Sequence, residues 1–464
     1  MMRPNAASAI LATIFLMTTA SATDGMADYI RRYGADLGSI QRKYPIGLSE
    51  FRAQRLDKFF VGQLSDLKKV GFEKLNIEGQ LDYVLLRQHL ENQMVDLKVA
   101  ADHRKELGPL TPFAADIIAL DEKLRADMGQ VDPRATAVQL NSLAKQLAKA
   151  ADLTKDQKIK QALAVRAAKA VSSLSDVLEH WYRFYAGYDP TFTWWCEAPY
   201  KACSQGLAEY KKHLMEKVAG IAEGDSKTIV GDPIGRDALL ADLRADLIDY
   251  TPEELIDIAN QEFTWCEGEM KKACLELGFK DWKKGLEHVK NLYVEPGQQP
   301  KLIRDLAVDA IDFIEKRNLV SVPDLAKETW RMEMMSPERQ LESPFFLGGE
   351  SILVSFPTQS MEHDAKMMSL RGNNPHFARA TVQHELIPGH HLQQFYMSRN
   401  NPHRELFGTP FWIEGWALYW EFLLWDMGFP RGPEDKIGML FWRMHRCARI
   451  IFSLKFHLGE MTPQ

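Results

Sequence analysis

Apolar residues recur at helical spacing through the first half of the chain, as in Leu81, Val84, Leu85, Leu86 and Leu90 and again in Leu140, Leu143 and Leu147. That period draws one apolar stripe along a helix, and strict apolar–polar alternation is scarce, so the pattern predicts a mainly α fold. Helix starts are legible too. Thr251-Pro252-Glu253-Glu254 offers an N-cap, a proline at the first helical position and a glutamate placed to close a capping box, with Leu255, Ile258 and Phe263 following on one face. The single convincing strand is 351–356 (SILVSF), preceded by Gly348-Gly349 and stopped by Pro357. The stretch 224–237 is rich in Gly, Asp and Pro and reads as a boundary or a long surface loop. We therefore read a helical N-terminal region, 23–235, and a second region, 236–464.

The extreme N-terminus has a different pattern. A basic start (Met1 to Arg3) precedes an apolar run (Ala7 to Ala20) and an A-x-A site at Ala20-Ser21-Ala22. This is the order of a secretory signal peptide, expected over 1–22, with an uncleaved anchor as the other reading. The mature chain is then expected to be secreted or periplasmic, and no later stretch resembles a membrane span. Over 464 residues, 45% hydrophobic and 26% charged content excludes disorder along most of the chain. The net charge of -6, without a basic block, excludes nucleic acid as a partner.

Five cysteines complicate the picture. Cys196 and Cys203, and Cys266 and Cys274, sit in two similar Trp-Cys-Glu stretches, and Cys447 stands apart. Within one straight helix neither pair is close enough to bridge, since a disulfide needs Cα atoms within about 7 Å. Pairing between the stretches, a zinc knot, and buried free thiols all stay open.

Candidate chemistry is concentrated after the strand. Residues 380–396 read ATVQHELIPGHHLQQFY, with His384-Glu385 ahead of Pro388-Gly389 and His390-His391. In H-E-x-x-H, two histidines one helical turn apart reach one zinc ion while the glutamate handles the water's proton. Here proline occupies the place of the second histidine. In a straight helix His391 regains the right face only about two turns on, roughly 10 Å away. A deformed backbone solves this: Pro388 breaks the helical hydrogen bonding, Gly389 tolerates unusual dihedrals, and the bulge returns His390 to the ligand position. A third ligand is available in 410–421 (PFWIEGWALYWE), where Glu414 lies on a second helix. Two imidazoles and one carboxylate leave an open coordination position, as a catalytic zinc requires. Glu385 is the expected general base, and Glu421, two turns beyond Glu414, the expected partner of a ligand.

His384-Glu385-x-x-Pro388-Gly389-His390-His391-Leu392-Gln393 together with Glu414-Gly415-Trp416-Ala417-Leu418-Tyr419 resembles the bacterial family called domain of unknown function 885, which is similar to the gluzincin metallopeptidases. The resemblance covers about Thr251 to the end and, more loosely, the helical first half. It implies a large helical gluzincin-like fold with a small β-sheet near the active site. It also implies one zinc ion held by His384, His390 and Glu414, with Glu385 as base and His391 as a flanking residue. Short peptides are the implied substrates. Relatives continue beyond Thr462-Pro463-Gln464, and the residue that stabilises the oxyanion is expected in such a continuation.

Several features have two readings. Arg446 and Arg449 offer bidentate forks for a substrate carboxylate, or else ion pairs with Glu421 or Asp426. The 351–356 strand is either an edge that pairs with an extended peptide or simply part of a small sheet. His363, His376 and His445 are isolated, and Met367-Met368 and the Trp412, Trp416, Trp420, Trp425 series read as core packing. No serine-hydrolase elbow, P-loop or dinucleotide fingerprint appears. Besides the metallopeptidase, two other functions fit these residues: a peptide-binding scaffold without turnover, and a metal-dependent amidohydrolase on non-peptide amides.

Overall fold

Side-chain caps start most of the long helices. Ser49, Asn76, Asp132 and Asp189 each accept a hydrogen bond from a backbone N–H in the first turn. Thr251 and Glu254 form the expected reciprocal capping box, and the helix it opens runs Pro252–Glu276. The computed structural model describes residues 25–126, 131–155, 157–225, 227–346 and 348–464, and the expected leader, 1–22, lies outside the described residues. Helices dominate, as expected, and among the described residues the β structure is one two-stranded sheet. No described helix is long and apolar enough to cross a membrane.

Two cores organise the first half. Gly25–Lys43, Glu50–Leu67 and Ile77–Leu107 pack around Ile30, Tyr33, Phe60, Leu86 and Leu90. Ala114–Ala126, Pro133–Leu147, Gln161–Tyr185 and Pro190–His213 pack around Ile117, Leu140, Leu143, Leu174 and Phe192. Leu81 and Val84 are exposed, because the helix Ile77–Leu107 buries the face of Asp82, Leu86 and Leu90 instead. A buried aspartate is tolerable there because it is paired: Asp82 meets His403 at 2.6 Å and Arg404 at 2.6 Å. Leu406 and Phe407 pack on the same first core, so the segment Pro402–Phe407 fastens the two halves together.

In the second half Pro375–Glu385 is central. It packs against Gln299–Arg317, Pro410–Asp426 and Pro433–His457, and the last of these also lies along Pro252–Glu276. The closest approach is at Gly438, where a Cβ would come within 2.2 Å of the His376 carbonyl oxygen. Burial along Pro375–Glu385 is nearly complete, from Phe377 to Glu385 except at Thr381. This fixes the direction of whatever its C-terminal end presents.

The expected strand forms over Ser351–Val354 and pairs in parallel with Arg331–Met334, Arg331 opposite Ser351 and Met334 opposite Val354. Ile352 and Val354 face inward, as alternation demands. The strand stops short of Phe356 because Ser355 turns into the interior, where its hydroxyl meets that of Ser369 at 2.9 Å. The cysteines take the free-thiol reading. All five are free and buried. Cys196 and Cys203 belong to the 46–214 core while Cys266 and Cys274 belong to a core drawn from 263–444, so the two stretches never meet.

Candidate metal centre

Asn374 caps Pro375–Glu385, accepting from His376 N–H at 3.0 Å and Phe377 N–H at 3.1 Å, with Pro375 at the first helical position. The helix ends at Glu385. Leu386 leaves helical geometry with φ -109 and ψ -101, the Ile387–Pro388 peptide is cis, and a new helix begins at His390 and runs to Met397. Hydrogen bonds of a longer reach than helical ones hold this bulge: Gly389 N–H donates to the Gln383 carbonyl at 3.0 Å and Leu392 N–H to the Leu386 carbonyl at 3.2 Å. Glycine is obligatory at 389. A Cβ there would lie 1.6 Å from the carbonyl oxygen of His384.

The bulge brings His384 and His390 face to edge, ring centroids 4.8 Å apart and planes at 89°. Glu414, from the helix Pro410–Asp426, sits across from both: Oε2 is 3.4 Å from His384 Nε2 and Oε1 is 3.6 Å from His390 Nε2. Donor atoms of these three residues all lie within 4.8 Å of one another, and no other such group of three occurs among the described residues. Two neutral imidazoles and a carboxylate suit zinc. The separations also fit, since a tetrahedron with ligand bonds of about 2.0–2.1 Å has an edge of about 3.3 Å. Glu414 is two-thirds exposed whereas both histidines are buried, so one side of the donor set is open to solvent.

The carboxylate of Glu385 reaches the same point, with Oε2 3.8 Å from His390 Nε2. Its other side is closed by the backbone at Gly348, where a Cβ would fall 2.2 Å from Glu385 Oε2. Residues 348–350 thus pass directly over the expected base before entering the strand Ser351–Val354. The Gly348-Gly349 pair was the only sequence signal of this contact.

Behind His384 a second set of groups orients its ring. Glu421 is buried, and its Oε1 accepts from His384 Nδ1 at 2.6 Å and from Arg446 Nη2 at 2.7 Å. A proton held on Nδ1 leaves the Nε2 lone pair free to ligate. Arg446 therefore takes the ion-pair reading with Glu421. Its Nη1 is buried with no hydrogen-bond partner, and Arg449 lies exposed on the same helix. His391 points elsewhere: its Nε2 meets the Ala326 carbonyl at 2.9 Å and its Nδ1 the Glu350 carbonyl at 3.3 Å, so it ties the second motif helix to its neighbours. Of the isolated histidines, His376 pairs with Asp435 at 2.7 Å.

Electrostatics follow from packing three carboxylates around two imidazoles. Burial opposes charge on His384, but Glu414 and Glu421 outweigh it and hold its pKa up at about 9. Burial pushes Glu385 up to about 7; Glu414 and Glu421 add to this while His384 and Arg446 oppose it. His390 is lowered by burial and by the neighbouring His384. Hydrogen bonding by His384 lowers Glu414. The three carboxylates are thus met by charge on His384 and Arg446.

No functionally curated protein matches this chain in sequence. A solved structure of a candidate lipoprotein of unknown function from Shewanella oneidensis is similar in fold, with a TM-score of 0.65 at 16% identity over 94% of this chain and 84% of that one. The sequence pattern of the bacterial proteins of unknown function called DUF885 matches residues 32–464, spanning both motifs and the helical first half. By that match the chain belongs to the DUF885 family.

Proposed function

We propose that this chain is a zinc-dependent peptidase of the gluzincin type, acting outside the cytoplasm on short peptides. The observation that carries the reading is the convergence of His384, His390 and Glu414 on one point, with Glu385 beside it. A zinc ion held by those three residues would supply Lewis acidity, lowering the pKa of a water and polarising the scissile carbonyl. Glu385 takes a proton from the attacking water on a carboxylate oxygen and returns it to the leaving amine. Glu421 and Arg446 keep the His384 ring in the ligating tautomer and orientation. The backbone at Gly348 walls off one side of Glu385, so water and substrate approach from the side of the exposed Glu414.

With Arg446 committed to Glu421 behind His384, the exposed Arg449 is the arginine of the pair left to meet a substrate carboxylate. A location outside the cytoplasm is supported by the order of charge, apolar run and small residues in 1–22. The fold neighbour being described as a candidate lipoprotein agrees with it.

The test is Glu385→Gln, assayed on a library of short peptides beside the wild type. Retained zinc with hydrolysis reduced by at least about a hundredfold is expected, in line with loss of a general base. Hydrolysis at the wild-type rate would remove the mechanism. Zinc binding without turnover in the wild type would leave a peptide-binding scaffold.

A further inference from the structure

Two hydrogen bonds connect the bulged motif to the helix that carries Glu414. The indole N–H of Trp416 donates to the Pro388 carbonyl at 2.8 Å, and the Gln393 carboxamide donates to the Trp412 carbonyl at 3.2 Å. Along one segment the order is 388, 390, 393, and along the other 416, 414, 412. His390 and Glu414 therefore face each other between two cross-links, and the cross-links join the same two segments as the ligand pair.

The first bond has a clear physical reason. In a continuous helix the Pro388 carbonyl would accept from the N–H of residue 392, but that N–H is spent on Leu386. Pro388 is buried, so without the indole its carbonyl would lose its partner. The second bond uses a buried side chain whose carboxamide also lies beside the His390 ring.

We infer that Trp416 and Gln393 are positioning residues that set the register between the bulge and the Glu414 helix, and with it the separation of His390 and Glu414. The inference rests on the metal-site reading above for its consequence in zinc affinity, and on the two bonds alone for its consequence in backbone protection. Trp420 is the internal control. It lies one turn further along the same helix and is buried, but its indole nitrogen has no partner, so replacing it removes a ring edge and no hydrogen bond.

The experiment compares wild type, Trp416→Phe, Gln393→Leu and Trp420→Phe in two readouts. One is zinc Kd by competition with a chromophoric chelator. The other is amide hydrogen exchange over residues 389–393 in metal-free protein. Trp416→Phe should weaken zinc binding about tenfold or more, as loss of a group that orients a ligand does. It should also speed exchange in the bulge by a similar factor, with Gln393→Leu acting the same way and Trp420→Phe staying near wild type in both. If Trp416→Phe fails to fold by circular dichroism, Gln393→Leu decides. Equal behaviour of the folded clamp variant and Trp420→Phe overturns the inference. A wild type that takes up no zinc defeats the metal reading, and the exchange contrast then still decides the clamp.

Discussion

Glu421 Oε1 lies 2.6 Å from Nδ1 of His384, buried behind the ring, while the opposite nitrogen faces Glu414. One carboxylate thereby selects which nitrogen of His384 faces Glu414 with its lone pair, and Arg446 holds that carboxylate in turn at 2.7 Å. Glu421→Ala should lower zinc affinity by about 10- to 100-fold, the usual consequence of removing a hydrogen-bond partner of a ligating histidine. Glu421→Gln keeps an acceptor but loses the charge that pairs with Arg446, so its effect should be smaller. Competition titration measures both, and wild-type affinity in Glu421→Ala would contradict the assignment.

Gly389 is the position with least freedom in the site. With a Cβ at 1.6 Å from the His384 carbonyl oxygen, Gly389→Ala cannot keep the bulge. The expected cost is about 4 kcal/mol or more, in the range reserved for backbone incompatibility, together with loss of zinc. Gly415→Ala is the counterpart: nothing lies within 4 Å of its Cβ position and it sits inside a helix. There the substitution should stabilise by about 0.5–1 kcal/mol. Chemical denaturation of the two variants should move in opposite directions.

His391 separates a structural role from a ligating one. Its hydrogen bonds to the Ala326 and Glu350 carbonyls are lost in His391→Ala, leaving the buried Ala326 acceptor behind. A loss of about 1–3 kcal/mol is expected from such orphaned groups, with zinc affinity unchanged when measured below the unfolding transition. A drop in affinity comparable to that of His390→Ala would reassign the ligand.

A buried network away from the metal centre gives a pH dependence of stability. Burial of Asp435 favours its neutral form, but His376 at 2.7 Å, the Arg431 N–H at 3.0 Å and Arg379 at 3.3 Å prevail, and its pKa is lowered. Because the folded-state pKa is below the unfolded one, the unfolded chain binds more protons. The stabilisation is present above the unfolded carboxylate pKa and is lost as pH falls through the folded one. Asp435→Asn should be less stable than wild type at neutral pH, and the difference should shrink on acidification below the ordinary carboxylate range. Urea denaturation at a series of pH values checks this, and a difference that grows on acidification would contradict it.

The grouping of the candidate site residues was more legible in the sequence than the packing. His384, Glu385, His390 and Glu414 stand out because metal ligation demands particular residue types, and the Pro388-Gly389 pair signals a deformed backbone between them. Capping residues such as Thr251 and Glu254 fix a helix start by local hydrogen bonds alone. What sequence did not disclose depends on contacts between distant segments. Arg331–Met334 pairs with the predicted strand although three of its four residues are exposed, so its short Arg-Met-Glu-Met alternation marks no buried face. Asp82 reads as a surface charge until His403 and Arg404 arrive from the other half of the chain. Trp416 looks like core, yet its indole nitrogen serves the bulge. Gly348 gave only a turn signal, and its packing over Glu385 emerges from the tertiary fold.

The most direct test is the metal content of the purified protein by elemental mass spectrometry. Wild type should be measured beside His384→Ala, His390→Ala, Glu414→Ala and His391→Ala. The expected result is about one zinc per chain, the single ion of a catalytic site, in wild type and His391→Ala and a loss in the other three. A folded wild type without metal, or a site that survives His390→Ala and fails in His391→Ala, would contradict the convergence of His384, His390 and Glu414 on one ion.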